Sequence, residues 1–273
     1  MTSFDQKIVN VLTGIQTTNP FKGKWISILG DSISTYEGWI PDGNLTYYPK
    51  GALVNPFNTW WNILLSKLGA RLCVNQSWGS RKVSDGLSVA NSAANAVTKL
   101  HREAGKSYKS LNGITETATE RQDPDIILIM LGVNDFNSNV PIGEINYGAT
   151  DIKYDSTSFV NSYKAMLLDI VGRYYSNAKI YCITPSYNNI IYKFLQTNSA
   201  GHTLLEYRKA IEEVAKMFES NVIHLDRLNI YDPNIEEITV DGLHPLHEMM
   251  RMIATQCYNE MMTSNSLVET VGY

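Results

Sequence analysis

Long apolar runs are missing from this chain of 273 residues, and so is any clustering of positive charge. No stretch reaches the roughly 18 uninterrupted apolar residues of a membrane-spanning helix, and residues 1–19 lack the charged-then-apolar pattern of a secretory signal. The lysines and arginines are scattered and the formal net charge is -4, which argues against nucleic-acid binding. We therefore expect neither a membrane nor a nucleic-acid partner. We expect a cytoplasmic location if Met1 is the natural start, and a secreted or periplasmic one if a signal peptide has been removed.

Cysteine is scarce as well. The three cysteines, Cys73, Cys182 and Cys257, lie far apart in apolar segments, and no CxxC pair or zinc-ligand spacing occurs. This setting is typical of buried, reduced thiols that behave as small hydrophobic side chains. We assign these cysteines no chemistry.

Low-complexity tracts are also missing, and a composition of 44% apolar and 18% charged residues is that of an ordinary globular protein. A chain of this length is near the upper limit of what one hydrophobic core supports. We therefore expect one α/β domain over residues 1–273, with an N-terminal extension over residues 1–22 and the core over residues 25–262.

Five short runs are apolar throughout rather than at alternate positions, which is typical of strands covered on both faces of a parallel sheet. They lie at 25–29, 71–75, 126–131, 179–184 and 222–225. Segments with helical spacing alternate with them, at 59–68, 88–103, 158–175, 203–219 and 246–262. This alternation predicts a doubly wound, three-layer α/β/α sandwich with right-handed crossovers.

Three longer polar segments interrupt this alternation. Residues 105–124 and 136–156 are rich in Gly, Ser, Thr, Asn and Asp, and residues 36–58 follow the first predicted strand. Loops of this length in a compact domain more often bind ligands than merely connect elements.

A nucleophile and a base are suggested by two distant motifs. Gly30-Asp31-Ser32-Ile33 directly follows the first predicted strand, and Asp241 stands three residues before His244 in Asp241-Gly242-Leu243-His244-Pro245. A serine at this place lies on the carboxyl edge of the sheet, where open α/β folds bind ligands. Because a serine hydroxyl needs a base to take its proton, Ser32 and His244 form the first candidate pair.

Serine attack on a carbonyl also needs hydrogen-bond donors for the oxygen that becomes negative. Three candidates follow predicted strands: the Ser32 N–H, the Gly79 N–H after the second strand, and the Asn134 side-chain amide after the third. All three are expected on one edge of the sheet.

These four blocks resemble the SGNH or GDSL hydrolases, whose name refers to Ser, Gly, Asn and His. The matching residues are Ser32, Gly79, Asn134 and His244, in the expected order over residues 25–250. The resemblance implies a flavodoxin-like five-stranded parallel sheet of order 2-1-3-4-5. It also implies ester hydrolysis through an acyl-serine, with His244 as base, Asp241 as its orienter and no metal or cofactor. One departure follows His244-Pro245, because family members commonly carry a small polar residue where this chain has Leu246.

Other interpretations of the same residues exist. Ser32 could simply cap a helix, and Asn134 could stabilise a turn. Asp135 and Asp241 could be the paired carboxylates of a glycosidase, but that leaves Ser32 and His244 without a role. The presence of Asp241 beside His244 favours the hydrolase.

Aromatic side chains are frequent in the loops around the proposed site, where flat rings with polar tips could stack on sugars. Candidate substrate-binding residues are Trp39, Tyr48, Trp78 and Tyr147; Tyr36, Tyr47, Trp60, Trp61 and Tyr187 are further aromatics, of which Trp60 or Trp61 is expected to be structural. Polar, aromatic loops favour a small-molecule or oligosaccharide ester as substrate, and the resemblance leans towards carbohydrate acetylesterases. The alternatives are a lysophospholipase or thioesterase, and a non-catalytic carbohydrate-binding protein. The sequence does not fix the oligomeric state.

Overall fold

A computed structural model describes residues 19–51, 53–146, 148, 152–174, 178–186, 196–225, 228 and 238–268. The strands in this part of the chain are β1 (Trp25–Gly30), β2 (Arg71–Asn75), β3 (Ser107–Lys109), β4 (Thr115–Thr117), β5 (Ile126–Met130), β6 (Lys179–Ile183) and β7 (Asn221–Ile223). The α-helices are α1 (Trp60–Leu68), α2 (Ala93–Ala96), α3 (Val133–Asn137), α4 (Phe159–Tyr174), α5 (Leu204–Met217) and α6 (His247–Val268).

Five strands form one parallel sheet in the order β2-β1-β5-β6-β7. Counted along the chain without β3 and β4, the order is 2-1-3-4-5, which confirms the predicted topology. Strand β5 is buried along its whole length. Gly30 is in register with Met130, so β1 and β5 end together and the segments that follow them start at the same edge of the sheet.

Helices cover both faces of this sheet. One apolar cluster joins Ile28 of β1 to Trp60 of α1 and to the buried face of α6. A second cluster joins Leu29 of β1 to α4 and to Ile211 of α5. Adjacent residues of β1 thus serve opposite layers, as the twofold periodicity of a strand requires. The result is the predicted α/β/α sandwich.

The predicted helix at 203–219 is observed as α5 for a local reason. The Thr203 hydroxyl accepts the Glu206 N–H, while the Glu206 carboxylate accepts the Thr203 N–H. This reciprocal pair is a capping box, which satisfies donors that a helix start would otherwise leave without partners.

The helix predicted over 88–103 is wrong for most of its length. Only Ala93–Ala96 is α-helical, followed by a 3₁₀ turn at Val97–Lys99. The Asn95 amide donates to two carbonyls of the preceding segment and holds it as a loop. Beyond the turn, the buried Arg102 guanidinium donates to two carbonyls of β2, so the chain leaves the helical path.

The segment 105–124, predicted as a loop, contains the antiparallel hairpin β3–β4. Its strands are short and mostly exposed, so they lack the apolar pattern that marks a strand in sequence. The three cysteines are buried and unpaired, as predicted. Among the described helices, none combines the length and the apolar character needed to cross a bilayer.

Candidate active site

Ser32 lies in a tight turn directly after β1. Asp31 precedes a 3₁₀ turn formed by Ser32–Ser34, and its side-chain Oδ1 accepts the Ile33 N–H at 3.0 Å. Gly30 lets this turn fold back on the strand, because a Cβ at that position would lie 2.5 Å from Ser34 Oγ. The chain therefore presents Ser32 at the carboxyl edge of the sheet.

Three side chains fix this turn by hydrogen bonds to Ser34. The indole N–H of Trp60 donates to Ser34 Oγ at 3.1 Å, and that of Trp61 donates to the Ser34 carbonyl at 3.0 Å. The Asn75 amide donates to the same carbonyl at 2.9 Å. Both tryptophans are fully buried, so both are structural, whereas the sequence predicted this for at least one of them.

Asp241 and His244 lie in one short loop before α6. Asp241 Oδ1 accepts the backbone N–H groups of Leu243 and His244, at 3.1 and 2.9 Å. The Val240 N–H closes the loop on the His244 carbonyl at 2.8 Å. The spacing of three residues thus allows the carboxylate to organise the backbone that carries the histidine.

The two motifs meet at the edge of the sheet. His244 Nε2 is 2.8 Å from Ser32 Oγ, and His244 Nδ1 is 2.8 Å from Asp241 Oδ2. The His244 side chain is 11% exposed and that of Asp241 is 43% exposed, so the imidazole is largely shielded while the carboxylate borders on solvent. Hydroxyl, imidazole and carboxylate therefore form one continuous hydrogen-bonded chain.

The electrostatics of this chain favour a neutral imidazole next to an ionised carboxylate. Burial lowers the pKa of His244, an effect that the Asp241 charge opposes and the Lys50 charge reinforces. Burial alone would raise the pKa of Asp241, but hydrogen bonds from His244 and from the Tyr47 hydroxyl hold it well below its ordinary value. With Asp241 ionised, Nδ1 carries the proton and Nε2 is left to accept one from Ser32.

This arrangement of hydroxyl, imidazole and carboxylate can activate a serine for attack on a carbonyl. A base bonded to a hydroxyl can remove its proton during attack on a carbonyl, and a carboxylate behind the base stabilises the imidazolium that results. Among the described residues, no three side chains of His, Cys, Asp or Glu lie close enough together to bind a metal ion.

The family model of GDSL-like lipases and acylhydrolases matches residues 24–261. The chain belongs to this family. It is a carboxylic ester hydrolase, which agrees with the chemistry that the triad geometry allows. No functionally curated protein has a sequence that matches this chain.

Solved structures share the fold of this GDSL-like hydrolase. A protein from Bacteroides ovatus, described as a GDSL-like lipase, is 24% identical with a TM-score of 0.60, over 89% of this chain and 99% of the other. A second, from Bacteroides uniformis, is 23% identical with a TM-score of 0.60, over 88% and 96%. An acetylxylan esterase from Geobacillus stearothermophilus is 17% identical with a TM-score of 0.51, over 88% and 94%.

The three candidate oxyanion donors of the hydrolase are placed differently. The Ser32 N–H begins the 3₁₀ turn, so it has no partner within that turn. Asn134 lies in α3 and donates one amide hydrogen to the Arg81 carbonyl at 3.1 Å, which leaves its second amide hydrogen for another acceptor. The Gly79 N–H donates to the Leu45 carbonyl at 2.7 Å, so it can reach an oxyanion only if that carbonyl moves.

The aromatic candidates also differ. Tyr48 is fully buried and its hydroxyl donates to the Pro245 carbonyl, so it supports the histidine loop and has no surface for a substrate in this structure. Trp39 and Trp78 are partly exposed, and the Trp39 indole is covered by Lys109 Nζ, 4.3 Å from the ring. Tyr147 lies outside the described residues.

Two residues of the site carry no motif that sequence reasoning could use. Tyr47 stacks on the His244 ring, whereas the sequence placed it only among the aromatic side chains for sugar stacking. Arg81 is buried and donates to the Gly30 carbonyl just before the Ser32 turn. A buried arginine has no local signature, because its partners lie in other parts of the chain.

Proposed function

We propose that this GDSL-like hydrolase removes short acyl groups, O-acetyl above all, from carbohydrates through an acyl-Ser32 intermediate. The observation that carries the reaction is the contact of His244 with both Ser32 and Asp241, each at 2.8 Å. In this proposal Ser32 is the nucleophile, His244 the general base and acid, and Asp241 the orienting carboxylate.

Acylation begins when Ser32 Oγ attacks the ester carbonyl carbon and its proton passes to His244 Nε2. The carbonyl oxygen becomes an oxyanion, for which the Ser32 N–H and the Asn134 amide are the donors. The Gly79 N–H can join them only if it gives up its hydrogen bond to the Leu45 carbonyl. Collapse of this intermediate breaks the ester C–O bond, and His244 returns its proton to the departing sugar hydroxyl. The product of this half-reaction is acyl-Ser32.

Deacylation repeats these steps with water as the nucleophile. His244 takes a proton from water as the water oxygen attacks the acyl carbon, and then protonates Ser32 Oγ as the carboxylic acid leaves. Every proton transfer is made by His244, so the proposed cycle needs no cofactor.

Two observations support a short acyl group on a sugar. A small, partly open recess lies beside the Ser32 turn, where the chain leaves β1, β5 and β6; it is lined by Asp31, Ile33, Met130, Leu131, Val133, Pro185 and Ser186. Solved structures of the same fold include the acetylxylan esterase named above. A small apolar recess suits an acetyl methyl group better than a long aliphatic chain.

A lipid acyl hydrolase is the second candidate, because the segment 36–58 exposes three large apolar side chains. Leu45, Val54 and Phe57 are 58%, 69% and 46% exposed. Exposed apolar side chains in the segment that also carries Tyr47 would favour a lipophilic ester. The acyl-chain preference separates the two proposals.

The deciding experiment measures acetate release from acetylated xylo-oligosaccharides beside a p-nitrophenyl ester series from acetyl to dodecanoyl. We expect acetate release and the highest kcat/KM with acetyl. Ser32→Ala should lower kcat by at least about 10⁴-fold while keeping affinity for the sugar, whereas Ser199→Ala, an exposed serine, should behave as wild type.

A fluorophosphonate should label Ser32, as shown by mass spectrometry of the labelled peptide. A protein that cleaves dodecanoyl esters well but releases no acetate would favour the lipid hydrolase. One that binds sugar but is neither labelled nor active would be a non-catalytic binding protein.

A further inference from the structure

Tyr47 is held between the two motifs of the site by its own backbone. Its N–H donates to Thr35 Oγ1 at 2.8 Å, next to the Ser32 turn. The neighbouring Tyr48 is anchored to the histidine loop, because its hydroxyl donates to the Pro245 carbonyl at 2.7 Å. The position of Tyr47 is therefore fixed relative to both Ser32 and His244.

The Tyr47 side chain contacts both the imidazole and the carboxylate. Its ring is stacked on the His244 ring, with 3.4 Å between centroids and 9° between planes. Its hydroxyl donates to Asp241 Oδ2 at 2.7 Å, the same oxygen that faces His244 Nδ1. One side chain thus restrains both the orientation of the His244 ring and the position of the Asp241 carboxylate.

These contacts leave little of Tyr47 for a substrate. One face of the ring lies on His244, and Lys50 Nζ stands over the ring at 4.6 Å from its centroid. The hydroxyl is engaged with Asp241. A sugar-stacking ring needs an open face, so the geometry points to a role toward the triad instead.

We infer that Tyr47 is a positioning residue of the hydrolase, which fixes the His244 ring and the Asp241 carboxylate in the alignment needed for proton transfer. The Asp241 side chain is 43% exposed, so without the hydroxyl one of its oxygens would face water and the carboxylate could turn. Without the ring, the imidazole would lose the surface that stops it from swinging out of line with Ser32. This inference rests on the proposed roles of Ser32, His244 and Asp241, but not on the identity of the sugar.

The hydroxyl also sets the basicity of His244. Because it donates to Asp241 Oδ2, it draws charge from the carboxylate that would otherwise stabilise the imidazolium. The titratable groups that act on His244 directly are Asp241 and Lys50, and the Tyr47 hydroxyl acts through its hydrogen bond to Asp241. Removal of the hydroxyl alone therefore favours the imidazolium and raises the pKa of His244.

The test compares Tyr47→Phe and Tyr47→Leu on p-nitrophenyl acetate from pH 4 to 9. We expect Tyr47→Phe to lower kcat/KM by about tenfold, the loss typical of one hydrogen bond to a charged group. In the wild-type protein, the acid limb of the profile, where kcat/KM falls as pH is lowered, should have its midpoint below pH 6.5 because burial lowers the pKa of His244. In Tyr47→Phe this midpoint should move upward by about 0.5 to 1 pH unit. Tyr47→Leu should lose about a hundredfold, since the imidazole is no longer held.

Tyr154→Phe is the matched control, because the Tyr154 hydroxyl donates to the Asp169 carboxylate at 3.1 Å on the opposite core layer. It should keep the wild-type kcat/KM and acid limb. NMR titration of the His244 ring protons measures the pKa of His244 directly, so it can be used for variants that fold but turn over too slowly for kinetics.

The outcomes are separable. Tyr47→Phe with a lower melting temperature but wild-type kcat/KM and acid limb would overturn the inference while leaving the hydrolase intact. If the wild-type protein showed neither esterase activity nor labelling of Ser32, both the proposed function and this inference would be contradicted.

Discussion

Gly30 shows how a single residue can decide whether Ser32, the proposed nucleophile, is presented. The turn that carries Ser32 folds back so closely that a Cβ at Gly30 would lie 2.5 Å from Ser34 Oγ and 2.8 Å from Ser77 Oγ. Ser34 is in turn bonded to Trp60, so it has little freedom to move aside. The glycine is needed here for space rather than for an unusual backbone angle.

We predict that Gly30→Ala lowers the free energy of unfolding by about 1 to 3 kcal/mol, the usual cost of an extra methyl group in a packed site. It should also reduce kcat, because relief of the clash displaces Ser32 from His244. Chemical denaturation and steady-state kinetics measure the two effects.

Gly172→Ala is the control for this prediction, because Gly172 is exposed in α4 and a Cβ there meets no atom within 4 Å. This change should stabilise the protein by about 0.5 to 1 kcal/mol without changing kcat. Equal effects of the two substitutions would contradict the assignment of Gly30.

At the scale of elements, Arg81 joins segments that follow different strands. Its guanidinium donates to the Gly30 carbonyl at the end of β1, to the Gln76 carbonyl after β2, and to the Asn91 carbonyl at 2.8 Å. Its own carbonyl accepts the Asn134 amide of α3. The segments with Ser32, Gly79 and Asn134 are therefore linked through one buried residue, by its guanidinium on one side and its carbonyl on the other.

Arg81→Lys tests this link. An ammonium lacks the planar fork that serves several carbonyls at once, so we expect a loss of about 3 kcal/mol in unfolding free energy. We also expect a fall in kcat that exceeds any rise in KM. Arg121→Lys, at an exposed pair with Asp123, should change neither quantity appreciably, and an unchanged kcat in stably folded Arg81→Lys would refute the link.

The distance along the chain between interacting residues explains what could be predicted from the sequence. The Ser32 turn and the Asp241–His244 loop are local motifs, and continuous apolar runs identified the five strands of the sheet. Tyr47 and Arg81 were missed because Asp241 lies 194 residues from Tyr47 and Gly30 lies 51 residues from Arg81. The helix predicted over 88–103 failed because side-chain bonds from Asn95 and Arg102 to carbonyls override its periodicity.

For the whole molecule, the buried carboxyl of Asp31 makes stability depend on pH. Burial raises its pKa from 3.8 to about 7, although the Ile33 N–H and the Arg81 charge oppose the shift. Between about pH 4 and 7 the folded chain keeps a proton that the unfolded chain has lost. Unfolding then releases a proton, so this group makes the fold less stable as pH rises through that window, by up to about 1.4 kcal/mol per pH unit.

We predict that Asp31→Asn removes this contribution. The variant should gain stability relative to wild type from pH 4 to 7, with a constant difference outside that range, as measured by urea denaturation at each pH. The exposed Asp42 provides the control, since Asp42→Asn should show a constant difference throughout. A difference for Asp31→Asn that does not vary with pH would contradict a protonated Asp31.

The contact between Ser32 and His244 spans 212 positions of the chain. A growing polypeptide therefore exposes its serine long before the histidine has been synthesised, and that serine remains an ordinary alcohol. If hydrolysis uses Ser32 and His244 as proposed, catalytic competence arises only when the loop that carries His244 has folded against the Ser32 turn, and the unfinished chain does not hydrolyse esters.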